Sequence, residues 1–425
     1  MHAEVLIKKF GAEYGDEIEL LSEKNYTGIL MPSHNDIITL KLKNGYNIGV
    51  KIDEKSKIRV IKKKQEKTGM LRNIKHLKGK PVISLISTGG TIASYVDYRT
   101  GAVHPALTAE DITFSVPELT EKYNVKAKVL FSILSEDMKA GHWRKLAKET
   151  AKELNSGADA VVIPHGTDTM AYTSAALSFM LKNLTGPVIL VGSQRSSDRP
   201  SSDASMNLLS AAKLSETDLG EVVVVMHGES SDTYSLIHRG TRVRKMHTSK
   251  RDAFKTINGK PIGRIDNEVK FFQDYRKKSS DKTVVNDKIE EKVALIYFYP
   301  GLTPEFFDYT VKNNKGVVIA GTGLGHVSSD LIEIIRNAKI PIIMSSQCLN
   351  GRVNMNVYST GRDLLSAGVI PGEDMLPETA LVKLMYVLGQ TKKMEEIRKM
   401  MTQNMVGEIN SRTMVDMKGR MQTVG

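Results

Sequence analysis

The sequence predicts an α/β protein, built as a small N-terminal β-barrel followed by a two-domain α/β body. Three observations predict it. Residues 1–62 alternate apolar and polar side chains in short runs, the period of half-buried strands. From Pro81 onward, short continuous apolar runs recur with helix-length segments between them, the pattern of a mainly parallel sheet covered on both faces. Many of those runs end in Gly, Ser or Thr, and the carboxyl edge of such a sheet is where open α/β folds bind ligands. At 425 residues the chain exceeds what one hydrophobic core supports. The expected organisation is a barrel at 1–62 of SH3-like or Sm-like size, a linker at 63–80, an α/β domain at 81–280 carrying the site, and a smaller α/β domain with a terminal helix at 281–425.

In the barrel, strands are expected over 16–20, 26–32, 38–42, 46–52 and 57–61, with Asn44-Gly45 as a tight hairpin turn and no helix. Lys62-Lys63-Lys64-Gln65-Glu66-Lys67-Thr68-Gly69 has almost no apolar content and reads as linker. The apolar runs of the body lie at 82–86, 129–134, 160–163, 188–191, 222–226, 293–298, 317–320 and 340–344. A second break in composition, at 275–292, reads as an interdomain connector. Residues 391–401 have the spacing of an amphipathic helix whose methionines serve as core or docking surface.

Composition narrows the function. Hydrophobic content of 40% and charged content of 25% are those of a soluble globular protein. No apolar run reaches 18 residues, so no membrane partner is expected, and the N-terminus lacks a signal-peptide pattern. The single cysteine, Cys348, excludes an intrachain disulfide and any cysteine metal cluster, which fits a cytoplasmic protein. Its apolar setting predicts a packed core thiol. Net charge is +12, and residues 1–80 hold 17 Lys/Arg against 10 Asp/Glu. That excess suits either contact with RNA phosphates or, more simply, a solvated lysine-rich surface. No zinc-finger, Walker A or RNP pattern is present.

The chemistry concentrates in two stretches. His165-Gly166-Thr167-Asp168-Thr169-Met170 follows a short apolar run and precedes a segment of helix formers. It sets a hydroxyl, a carboxylate and free helix N-terminal N–H groups at a strand-to-helix switch. Ser87-Thr88-Gly89-Gly90-Thr91-Ile92 has the same character. Either alone could be plain helix capping. A threonine hydroxyl is a weak nucleophile and needs a base, for which Asp168 or a suitably placed lysine is a candidate.

Residues 88–93 and 165–170 together resemble the two signature motifs of the bacterial-type L-asparaginases. The resemblance extends through Ser135-Glu136-Asp137-Met138, Gly192-Ser193-Gln194-Arg195, residues 202–208, Lys245 nine residues before Phe254, and the glycine loop Gly321-Thr322-Gly323-Leu324-Gly325-His326. It covers roughly residues 81–410 and implies an asparaginase-like body. It implies Thr91 as first nucleophile on a side-chain amide, with Thr167, Asp168 and Lys245 as a proton relay, although the order of attack between Thr91 and Thr167 stays open. It also implies Ser135 and Glu136 as holders of the substrate's α-carboxylate and α-ammonium, backbone N–H groups near Gly90 and Gly166 as an oxyanion hole, and no metal. The family's activating tyrosine, a dozen or so residues after the first threonine, has no counterpart at that spacing. Tyr98, His104 or a partner-induced rearrangement are the candidates to replace it. Residues 28–32 (GILMP) and 39–49 (TLKLKNGYNIG) resemble more narrowly the archaeal glutamyl-tRNA(Gln) amidotransferase D subunits, a family that joins such a barrel to an asparaginase-like body.

That narrower resemblance implies a glutaminase supplying ammonia for protein biosynthesis. Its partner would be the amidotransferase's E subunit, in a heterotetramer around a homodimer of this chain. The partner would bind ATP and Mg and carry most of the contact with Glu-tRNA(Gln), leaving this chain without a cofactor. The rival readings are a free-standing L-asparaginase with an accessory barrel and a non-catalytic RNA-binding scaffold.

Overall fold

A computed structural model describes residues 2–42, 47–63, 78–89, 94–96, 103–105, 116–195 and 202–413. The predicted turn at Asn44-Gly45, most of the linker, Gly90, Thr91 and Tyr98 lie outside the described residues.

The N-terminal strands are β1 (Glu17–Leu21), β2 (Asn25–His34), β3 (Ile37–Lys41), β4 (Asn47–Lys51) and β5 (Lys57–Lys62). They form an antiparallel sheet in the order β4-β3-β2-β1-β5. Alternation does what the sequence requires: Ile18, Leu20, Ile38 and Leu40 turn inward and are fully buried, while Glu17 and Glu19 turn out. Among the described residues no pairing joins β4 to β5, so the strands make an antiparallel sheet without hydrogen-bonded closure. The expectation of no helix is corrected by α1 (Ala3–Lys9), whose Ala3, Leu6 and Ile7 pack onto the sheet's apolar face. Seven residues span barely two turns, too little for the helical period to stand out in the sequence.

The body's first sheet contains β6 (Val82–Ser87), β7 (Asn124–Val129), β8 (Ala160–Pro164), β9 (Val188–Val191), β10 (Val222–His227) and β11 (Ser235–Arg239). A separate short hairpin follows, β12 (Val243–Lys245) with β13 (Phe254–Thr256). The chain then returns to the large sheet as β14 (Gly263–Ile265) and β15 (Val269–Phe271). The order is β15-β14-β11-β10-β9-β8-β6-β7, parallel from β7 to β10 and antiparallel beyond. β7 corrects the sequence reading, which placed a strand at 129–134. It is the edge strand, so its outer face carries Lys126 and Lys128, and Lys128 pairs with Glu149 and Glu153. An edge strand alternates instead of running apolar, and a search for apolar runs therefore lands on the loop behind it.

The second sheet is parallel, with β16 (Val293–Tyr297), β17 (Gly316–Gly321), β18 (Ile342–Ser346) and β19 (Ile370–Pro371) in that order. Cys348 falls two residues beyond β18 and is exposed, not a core thiol: the apolar stretch that suggested burial ends with the strand. Helix α2 (Ala140–Asn155) covers one face of the large sheet, and α3 (Met170–Met180) lies between that sheet and α5 (Pro377–Gln390) of the second lobe. α3 is buried nearly all round, as a helix between two layers must be. Its neighbour α4 (Ala204–Lys213) covers the opposite face. The terminal helix α6 (Met394–Thr402) buries Ile397 and Met401, and one apolar cluster runs from Val161 and Phe179 through Leu384 and Val387 to these two. The connecting segment is laid onto the first lobe: Asn155 Nδ2 donates to Thr283 O at 2.9 Å, and Val284–Val285 pairs with Leu181–Lys182. Among the described residues no helix is long and apolar enough to cross a membrane.

Candidate active site

The strand order fixes where a ligand can sit. β6 and β8 are parallel neighbours, and the chain leaves β6 toward β7 on one side and β8 toward β9 on the other. Their carboxyl ends therefore open a crevice at a topological switch point. Both sequence motifs follow these two strands. Thr88 ties the ends together: its N–H and its Oγ1 both donate to Pro164 O, at 3.0 and 3.1 Å. Gly89 has φ +104°, and a Cβ there would lie 2.4 Å from Ile133 O, so the position takes only glycine.

The second motif loop is held by side chains from elsewhere. Ser135 begins a one-turn helix, Ser135–Asp137. Its Oγ lies 3.0 Å from both Gly166 O and Thr169 Oγ1, and it accepts from Thr169 N–H at 2.9 Å. Thr169 Oγ1 donates to Ser135 O at 2.7 Å. A Cβ on Gly166 would lie 2.7 Å from Ser135 Cβ, so this glycine permits the approach. Gly192, just past β9, makes room in the same way for the Thr167 methyl, which a Cβ would meet at 2.7 Å. Asp203, wholly buried, accepts from the backbone N–H groups of Gln194 and Arg195 and fixes the loop after β9.

Lys245, 78 residues beyond Thr167, completes the cluster. Its Nζ lies 2.9 Å from Thr167 Oγ1 and 2.9 Å from Asp168 Oδ1. The lysine side chain is 13% exposed and the aspartate 69%. A hydroxyl, an amine and a carboxylate thus form a line running from the crevice to solvent, the form of a proton relay. His165 opens the same motif. Its Nδ1 sits 2.6 Å from Gly166 O, and since a carbonyl only accepts, Nδ1 carries the hydrogen. Burial pushes its pKa down to about 4, against a smaller opposing effect of that hydrogen bond, so near neutrality it is an uncharged brace.

Of the residues singled out in the sequence, the structure brings together Thr167, Asp168, Lys245, Ser135 and Gly166. Ser135 is buried with its hydroxyl engaged by the loop, and Glu136 is exposed on the same turn. Thr91 and Gly90 lie outside the described residues. Of the residues considered as substitutes for the missing tyrosine, His104 is placed by backbone alone: Ser94–Val96 pairs antiparallel with Val103–Pro105, in a register that sets Tyr95 opposite His104. Among the described residues no group of three His, Cys, Asp or Glu side chains could hold a metal ion.

Family models match in three places: "Asparaginase, N-terminal" at residues 82–277, "Glutaminase/Asparaginase C-terminal domain" at 292–401 and "GatD N-terminal domain" at 12–61. The D subunit of the glutamyl-tRNA(Gln) amidotransferase of Pyrococcus furiosus is 55% identical over 97% of this chain and 98% of its own length. That of Saccharolobus solfataricus is 51% identical over 97% and 96%. The chain belongs to the family of glutamyl-tRNA(Gln) amidotransferase D subunits. Solved L-asparaginases share its two-lobed body. The enzyme of Thermococcus kodakarensis superposes with a TM-score of 0.72 at 33% identity, covering 78% of this chain and 100% of its own. L-asparaginase I of Vibrio cholerae gives 0.70 at 32%, covering 78% and 99%.

Sequence reasoning missed three contributors to the site of this amidotransferase chain. Thr169 stood inside a motif but was given no task, and its partner Ser135 is 34 residues away. His165 stands in the same motif, also without a task in the sequence reading. Arg244 has no task in the sequence reading, and it pairs at 2.9 Å with Glu378 of α5. No local pattern announces a contact between residues so far apart in the chain.

Proposed function

We propose that this chain is the glutamine-hydrolysing subunit of a tRNA-dependent amidotransferase. Thr91 Oγ attacks the side-chain amide carbon of glutamine, and its proton passes to the relay. The C–N bond breaks, the nitrogen leaves as ammonia on gaining a proton, and a glutamyl ester forms on Thr91. Water then attacks that ester and frees glutamate. Thr167 passes protons to Lys245 Nζ, and Asp168, open to solvent, balances the charge that results. The backbone N–H groups near Gly90 and Gly166 hold the oxyanion. Ser135 fixes the motif loop beside the substrate's α-carboxylate, and Glu136 reaches the α-ammonium from its exposed position on the same turn.

The observation that carries this reading is the meeting of Lys245 with Thr167 and Asp168 at the switch point. Similarity along nearly the whole chain to proteins named as D subunits of the amidotransferase supports the destination of the ammonia. That destination is a partner, the E subunit, which uses ATP and Mg to activate and amidate Glu-tRNA(Gln) in a cytoplasmic complex built on a homodimer of this chain.

The test compares ammonia release from glutamine and from asparagine, with and without the partner and Glu-tRNA(Gln). Release from glutamine should rise when both are added. Equal rates without them would show a free-standing amidohydrolase, and a preference for asparagine would make it an L-asparaginase. In the full complex Thr91→Ala should abolish amidation driven by glutamine and spare amidation driven by free ammonium. Loss of both would remove the division of labour.

A further inference from the structure

The strand that carries Lys245 has little support of its own. β12 is three residues long and, among the described residues, pairs only with β13, and a two-stranded ribbon of that size is marginal. Its position is set by what grips it from outside. Ser174 Oγ of α3 donates to Gly240 O at 2.7 Å, just before the strand. Gly240 N–H also donates to Val222 O of the large sheet at 3.0 Å, Val243 is buried in the apolar core, and further side-chain grips come from the second lobe. Thr379 Oγ1 donates to Thr241 O at 2.9 Å. Arg242 Nη1 donates to Asp374 Oδ2 at 3.0 Å, and its Nε donates to Gly407 O at 2.8 Å. Arg244 pairs with Glu378, whose side chain is 11% exposed.

Strand alternation assigns tasks to these neighbours. Val243 and Lys245 share one face of β12 and Arg244 points to the other, toward α5. Glu378 stands in the first turn of α5, directly after Pro377, where an acidic side chain also meets the positive end of the helix dipole. The pair therefore fastens the back of β12 to the rigid end of a buried helix while the front presents Lys245 to Thr167. The contact lies adjacent in sequence to the relay lysine, so a shift of the strand there moves Nζ directly.

We propose that Glu378 of the second lobe is a positioning residue for Lys245, acting through Arg244. The inference rests on the relay assigned to Lys245 above. Neither Glu378 nor Arg244 touches Thr167 or Asp168 here, so the pair sets the reach of Lys245 without taking part in proton transfer. The second lobe thereby contributes to the chemistry of the first, and a change in how the lobes sit changes the relay.

The experiment is steady-state glutamine hydrolysis by the full complex. The variants are Glu378→Gln, Arg244→Met and the double, with thermal midpoints measured in parallel. Wild type and Lys245→Met come first: if ammonia release from glutamine does not depend on Lys245, the functional reading fails and not the positioning role. Given that dependence, each single variant should lower kcat about tenfold with KM within about twofold, since misplacement of a reacting group falls on the chemical step. The double should be no slower than the slower single, as expected for two residues acting through one contact. Glu378→Asp, which keeps the charge, should fall between wild type and Glu378→Gln. Unchanged kcat in the singles, a loss carried by KM, or multiplying losses in the double would each overturn the proposal. If Glu378→Gln does not fold, Arg244→Met and Glu378→Asp give the same comparison.

Discussion

Two strand-end loops of this molecule have nearly the same words and different grammar. Gly166-Thr167 follows β8 in the first lobe, and Gly321-Thr322 closes β17 in the second. Thr167 faces outward to Lys245, a residue from a distant hairpin. Thr322 turns back onto its own loop: its N–H and Oγ1 both bond His326 O, at 2.9 and 3.2 Å, and His326 N–H returns a bond to Thr322 O. The glycines differ accordingly. Gly323 and Gly325 have φ of +49° and +99° and close a local turn, whereas Gly166 serves the close approach of Ser135. A Gly-Thr at the end of a parallel strand is therefore a frame. It becomes a reactive site only where the fold delivers a titratable partner to the hydroxyl.

Lys245→Met breaks the first loop's side of this contrast most directly. It should lower kcat for glutamine by about 10²–10⁴ while leaving the thermal midpoint nearly unchanged, as loss of a general acid–base group does. A fall of less than tenfold would place Thr167 beside Thr322 as structural. Gly166→Ala tests the close approach. The new methyl must push Ser135 away, which should cost about 1–3 kcal/mol of stability and at least about tenfold in kcat, read by denaturant unfolding and ammonia release.

A smaller effect concerns pH. His165 is depressed to about 4 in the folded chain against about 6.5 when unfolded, so between these values the unfolded chain binds the extra proton. Its contribution to stability is complete above about pH 6.5 and is lost as pH falls toward 4. His165→Asn should flatten the fall of the thermal midpoint over that window relative to wild type, and parallel curves would show the ring titrating freely. The smallest effect belongs to Thr322→Val, which should leave kcat within about twofold and stability within about 0.5 kcal/mol, because the hydroxyl it removes is exposed. A large loss of activity there would erase the distinction between the loops.

How much was legible in advance follows the range of the interactions. The strands at 82–87, 160–164, 188–191 and 222–227 were readable because each is buried on both faces, so burial wrote itself as an unbroken apolar run. The edge strand Asn124–Val129 was misplaced because one of its faces carries Lys126, which is exposed, and Lys128, which pairs with glutamates of α2, and these lysines interrupt the run. Helix α1 was missed for want of length, and Cys348 was assigned to the core because the sequence does not mark where β18 stops. The motif loops and Lys245 were recognised as members of one site by resemblance. Nothing in the spacing of Arg242-Val243-Arg244-Lys245 separates a relay lysine from surface charge.

The sequence by itself determined the alternating N-terminal strands, the parallel α/β body and the residue types at the strand ends, since these follow from local period and from which faces must avoid water. Only the tertiary structure decided which threonine has a partner, which histidine is held neutral, and that α5 of the second lobe grips the strand bearing Lys245. Those outcomes depend on side chains many residues apart meeting within about 3 Å, a distance set by the packing of whole layers and not by any neighbouring residue.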